Sequence, residues 1–131
     1  MVRILPLLVA ILFVSCKSKE ERAIQARERI DKVIAKIEAE ISELTKPRSC
    51  ATDPADCRGR WVSEGDGCSP YFIYNIKDVD PIELDAKFAE LRKWEESYMI
   101  QNPMGPMCDR IIPDSLFVKN CKCQGAVKKD R

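Results

Sequence analysis

Asp80-Pro81-Ile82-Glu83-Leu84-Asp85-Ala86-Lys87-Phe88-Ala89-Glu90-Leu91-Arg92-Lys93-Trp94-Glu95-Glu96-Ser97-Tyr98 is the stretch on which the fold turns. An Asp cap, Pro at the first helical position and Glu at the third make a well-formed helix start. Leu84, Phe88, Leu91, Trp94 and Tyr98 recur at spacings of three or four, one apolar stripe on an otherwise charged helix. Asn102-Pro103-Met104-Gly105-Pro106 stops it, so the predicted helix runs from Pro81 to about Gln101. Such a stripe has to be covered.

The flanking segments supply the cover. Upstream, Arg58 to Glu64, with Trp61 and Val62, and Tyr71 to Ile76 lean toward strand. Glu64-Gly65-Asp66-Gly67 between them is a turn signal, which predicts a β-hairpin under the helix. Downstream, Arg110 to Ile112 and Ser115 to Lys119 predict two more short strands around Pro113-Asp114, with Lys128 to Arg131 a frayed tail. The expected fold class is α+β: an N-terminal helical spacer followed by a small disulfide-stabilised ββαββ domain over residues 47–131.

Its apolar content is thin for a chain segment of this size, which is where covalent staples matter. Cys50, Cys57, Cys68, Cys108, Cys121 and Cys123 all fall in this segment, and the seventh cysteine, Cys16, stands apart. Six cysteines in an exported chain suit three disulfides. Fifteen pairings are possible, and the spacing does not choose among them. Cys121 and Cys123 are not expected to bond each other, since a ring across one residue is strained. The two are sent to Cys50 and Cys57 on the expectation that the end segments meet. A bridge such as Cys68–Cys108 would close a loop worth ~4 kcal/mol in the chain-entropy model.

The composition closes off several chemistries. Histidine is absent, which removes the commonest general base and metal ligand. Arg3 is the only charged residue before Cys16; without it the 22 basic residues fall to 21, matching the 21 acidic ones. A balanced chain gives no general pull toward nucleic acid. Cys121-Lys122-Cys123 lacks a second ligand pair for a metal, and no Cys-x-x-Cys is present. Structural disulfides are its expected role; a thiol-active redox protein using Cys121 and Cys123 is the alternative. Asp78, Asp80, Glu83 and Asp85 crowd the turn into the helix, but without the Gly-hinged loop of a helix–loop calcium site. Capping and dipole complementarity account for them. No catalytic residue, metal or cofactor is expected, and no enzymatic activity. Trp61, Tyr71, Phe72, Tyr74, Trp94, Tyr98 and Met99 are interface-type side chains. Most should be core, and any left exposed would mark a partner site.

Residues 17–46 contain no Gly and end at Pro47. Ala23, Ile30, Ile37 and Leu44 repeat every seven residues, with Ile34 and Ile41 four after Ile30 and Ile37, and Arg27 intrudes on the seam. Three arrangements fit: a helix folding its Ile stripe onto the C-terminal domain, self-association through residues 20–46, or a tether at most ~45 Å long.

The first 15 residues have a short basic start at Arg3 and an apolar run from Ile4 to Val14. The run falls short of the roughly 20 residues that span a bilayer, which favours a signal peptide over residues 1–15. Leu12-Phe13-Val14-Ser15-Cys16 resembles a bacterial lipobox, with Phe13 where Leu is usual. That resemblance implies a diacylglyceryl Cys16, cleavage just before it and acylation of its new amino group. Two or more acyl chains hold a protein stably on a membrane where one does not. Residues 16–46 then comprise the lipidated cysteine and helical spacer. Lys17 stands where Asp would signal inner-membrane retention, so the resemblance implies the outer membrane, facing the periplasm or the cell surface.

From Asp56-Cys57 through Gly67-Cys68-Ser69-Pro70, Tyr71, Tyr74, Cys108, Pro113 and Cys123, the layout is similar to a loose group of small cysteine-rich exported bacterial proteins. It implies a disulfide scaffold and carries no activity. The expected function is a lipid-anchored cell-envelope protein, a non-enzymatic module that binds a protein or cell-wall partner.

Overall fold

The computed structural model describes residues 18–61, 70–103, 108 and 112–127. Helix α1 is Lys19–Leu44, strand β1 Cys57–Trp61, strand β2 Tyr71–Asn75, helix α2 Pro81–Gln101, strand β3 Ser115–Lys119 and strand β4 Lys122–Ala126. The fold is α+β, with two antiparallel hairpins, β1–β2 and β3–β4, and two long helices. The Glu64–Gly67 turn, the Met104–Pro106 stop, the residue 128–131 tail and residues 1–17 lie outside the described residues.

Each helix begins on a built cap. Ser18 Oγ accepts from the Glu21 amide and Glu21 Oε2 accepts from the Ser18 amide, both at 3.1 Å, a reciprocal pair that satisfies two orphan donors. At α2, Asp80 Oδ1 accepts from the amides of Ile82 at 2.9 Å and Glu83 at 3.3 Å, with Pro81 at the first helical position. At the end of α1, Thr45 turns its hydroxyl back onto the Ile41 carbonyl at 2.8 Å, two residues before Pro47.

The core lies between the helices and one face of β2. Ile37 and Ile41 from α1, Phe72 from β2, and Leu84, Phe88 and Leu91 from α2 form one buried cluster. Val33, Ile34, Leu44, Tyr74, Val79 and Trp94 pack around it. Phe72 meets Phe88 edge to face, with ring centroids 5.6 Å apart. Of the three arrangements open for residues 17–46, α1 thus folds its Ile stripe against its own chain. As a correction to the spacer assignment, it serves as a wall of the core from Ile30 onward. Its first residues, 18–24, are exposed, and Gln25, Ala26 and Arg27 are already half-buried ahead of Ile30. Arg27, the residue that breaks the seam, is half-buried, and its Nε has no hydrogen-bond partner among the described residues.

The Tyr-Phe-Ile-Tyr-Asn string of β2 is apolar on both faces because both faces are covered. In register, Arg60 lies across from Phe72 and Arg58 from Tyr74, and this face meets the helices. Cys57, Gly59 and Trp61 pair with Asn75, Ile73 and Tyr71 on the other face. That face carries the β3–β4 hairpin, joined to it through Cys57–Cys123. Gly125 of β4 makes the approach possible: a Cβ there would sit 2.5 Å from Pro113 Cγ and 3.0 Å from Ile73 Cδ1. The chain is therefore layered as helices, hairpin, hairpin.

The strand expected at Arg110–Ile112 falls mostly outside the described residues. Ile112 is irregular, Arg110 and Ile111 lie outside the described residues, and β3 pairs with β4, a strand the sequence pattern does not predict. The turn is Asn120-Cys121, with φ of 52° and 63°. A two-residue hairpin with both central residues at positive φ matches the twist of its strands, and Asn-Gly is its usual sequence signal. A cysteine replaces that glycine here.

One polar group sits badly in the helix seam. Burial pushes the Glu38 carboxyl above its usual range, and the negative charge of Glu95 on α2 adds to the effect. Glu95 itself is 7% exposed. An acid whose pKa is raised in the fold binds protons more readily there than when unfolded, so stability falls as pH rises from the unfolded toward the folded value. Two outcomes are expected. Glu38→Gln should raise the thermal midpoint at neutral pH, with the gain disappearing in acid, as followed by circular dichroism. Ile41→Ala, at a fully buried position, should cost about 2–5 kcal/mol in urea unfolding, a loss that a free spacer helix would not show.

Candidate functional site

The cysteines resolve into separate staples. Cys50 is bonded to Cys121 and Cys57 to Cys123, so the adjacent pair is split between two partners. Both bridges run from the segment after α1 to the last hairpin, spanning 71 and 66 residues. In the chain-entropy model the first such closure is worth about 4 kcal/mol, and the second adds less because the loops overlap. Cys108 is also disulfide-bonded. Cys68, its expected partner, and Cys16 lie outside the described residues. Among the described residues, no group of three or more Cys, Asp or Glu is arranged to hold a metal ion.

The acids around the start of α2 are spent one by one on structure. Asp78 accepts from the Arg48 amide at 2.9 Å, the Ser49 amide at 3.1 Å and the Ser49 hydroxyl at 2.5 Å. The Ser49 hydroxyl first, and then the Arg48 amide, hold its carboxyl below the usual aspartate range. Asp80 caps α2. Asp85 forms an ion pair with Arg60. Glu83 lines a shallow groove with Glu40, Glu43, Leu44, Arg48 and Lys87. There Lys87 bridges the helices by reaching Glu40 at 2.6 Å and Glu90 at 3.1 Å. Its hydrogen bond lowers the pKa of the Glu40 carboxyl.

A concave feature with an apolar floor lies at the junction of β1, β2 and α2. Arg60, Tyr74, Ile76, Val79, Pro81, Leu84 and Asp85 line a cleft of about 170 Å³. Its rim carries the exposed Ile76, and Ile82 next to Pro81 is 81% exposed. Arg60 closes one side: its guanidinium lies 4.3 Å from the Phe88 ring centroid while pairing with Asp85. The aromatic side chains singled out in the sequence are all buried or half-buried, and only Tyr74 among them reaches this cleft. Arg60 went unremarked in the sequence. Its one signal was parity: in a 57–61 strand it shares a face with Arg58 and opposes Cys57, Gly59 and Trp61, which puts an arginine on the helix side.

No protein-family model matches the chain, and neither a curated protein nor a solved structure matches it. The cleft has its own chemistry: an apolar floor with one fixed cation–anion pair, Arg60 and Asp85, at the edge, suited to holding an apolar side chain. Arg60→Ala should lower stability by about 1–2 kcal/mol in urea unfolding through loss of its packing on Phe88 and its ion pair. Arg60→Lys should recover only part of this, because an ammonium cannot lie flat on the ring while pairing with Asp85.

Proposed function

We propose that the protein is a lipid-anchored module of a bacterial cell envelope, exported by residues 1–15, acylated at Cys16, and acting by binding a partner protein rather than by catalysis. The observation that carries this reading is the short distance along the chain from Cys16 to packed structure. Only Lys17 separates Cys16 from Ser18, which caps α1, and α1 enters the core at Ile30. An acyl anchor on Cys16 would thus hold the whole domain through a helix about 39 Å long, at 1.5 Å per residue over its 26 residues. The exposed residues 18–24 act as a short stalk; the rest of α1 belongs to the ββαββ unit that follows.

Among the described residues no helix is long and apolar enough to cross a membrane. The split of Cys121 and Cys123 between two bridges argues against the two acting together as one dithiol centre. The cleft beside Arg60 and Tyr74 is the surface on which a partner's apolar side chain would seat.

Cys16→Ser in the full chain should move the protein from the membrane fraction into the soluble fraction, and intact mass should lose the acyl chains. Wild-type protein of unmodified mass at Cys16, or a Cys16→Ser variant that stays membrane-bound, would overturn the anchor.

A further inference from the structure

The two described disulfides sit in opposite surroundings. Cys57 opens β1 at 3% exposed, and its partner Cys123 lies within β4, between the two hairpins. Cys50 and Cys121 are both exposed, the first in an irregular loop and the second in the Asn120-Cys121 turn. Thiol–disulfide exchange requires a thiolate to reach a sulfur along the axis of the bond, so access separates these bridges before any other factor.

The backbone around Cys121 is set by the turn. Cys121 holds φ at 63°, a left-handed conformation that costs a residue with a side chain of order 1–2 kcal/mol where glycine has no penalty. The bridge to Cys50 and the bond from the Ala51 amide to the Cys121 carbonyl, at 3.0 Å, tie this turn to the loop after α1. The two-residue turn itself requires this conformation, so opening the bridge leaves the β3–β4 hairpin in place.

We propose that Cys50–Cys121 is a thiol-exchange site, taking a protein dithiol as its co-substrate, while Cys57–Cys123 is a permanent staple. One thiolate of the dithiol attacks Cys50 Sγ. A bond forms between those sulfurs, the Cys50–Cys121 bond breaks, and its electron pair leaves on Cys121, which takes a proton from water. The second thiolate of the dithiol then attacks its own mixed-disulfide sulfur and releases Cys50. The dithiol ends oxidised to a disulfide and the two cysteines end reduced, a balanced two-electron transfer.

The result is local. Arg48 and Ser49 stay fastened by Asp78, and Cys57–Cys123 keeps the hairpins together. What comes free is the contact between the loop after α1 and the tip of the last hairpin. This site operates whether or not Cys16 is acylated.

The test uses the full native chain and dithiothreitol as the dithiol, at about pH 8, where thiolates form. Samples quenched with an alkylating reagent are mapped by peptide mass. Cys50 and Cys121 should be alkylated together at least about tenfold faster than Cys57 and Cys123. In that partly reduced species, hydrogen exchange should show the Ala51 amide losing protection while the Phe88 and Leu91 amides keep theirs. Opening of Cys57–Cys123 first or at the same rate would overturn the proposal, as would loss of Ala51 protection only together with the α2 amides.

Discussion

Phe88 is the residue on which the packing depends. It is fully buried, and every layer on the helix side of the molecule touches it or its cluster. Ile41 brings α1 to that cluster, Phe72 brings β2 edge to face, and Arg60 brings β1 with a guanidinium laid over the ring. A ring can serve three neighbours at once because its edge and its face attract different partners. The small fully buried set around it (Ile41, Leu84 and Leu91) could not by itself hold four elements of this length.

The disulfides make up that deficit at the opposite side of β1–β2. The β3–β4 hairpin buries no residue fully; all its inward positions are half-exposed. Hydrophobic burial alone would leave such a hairpin marginal, since two strands without a packed face are barely stable in water. Cys57–Cys123 fixes it to β1, and Gly125 lets it lie close to Ile73 and Pro113. One side of the central hairpin is held by apolar contact and the other by covalent bonds, which is how a short chain supports three layers.

This division decides what the sequence could reveal. Elements stabilised by periodic burial were legible: the stripe Leu84, Phe88 and Leu91, the heptad of Ile30, Ile37 and Ile41, and the doubly apolar Tyr71–Asn75 all announce their covered faces. The β4 strand was not, because Lys122-Cys123-Gln124-Gly125-Ala126 has no apolar alternation to show and its turn carries Cys where Gly would signal a hairpin. Arg60 was hidden for a related reason. A charged residue advertises solvent, and only the partner ring and Asp85, brought together by the fold, explain its place beside the core. Glu95 is the same case on α2, a carboxylate one turn beyond Leu91 that ends up buried.

The unequal character of the two sides also orders their persistence. Contacts in the Phe88 cluster are lost only when helices and sheet separate together, since no member is reached by solvent without disturbing its neighbours. The outer hairpin is different: its tip is held at a turn in left-handed backbone by one bridge at the surface, and its body by another beneath it. A molecule built this way has one cooperative half and one stapled half. Its responses to solvent and to thiols should therefore enter from the stapled half, with the Asn120-Cys121 turn moving first and the helix seam last.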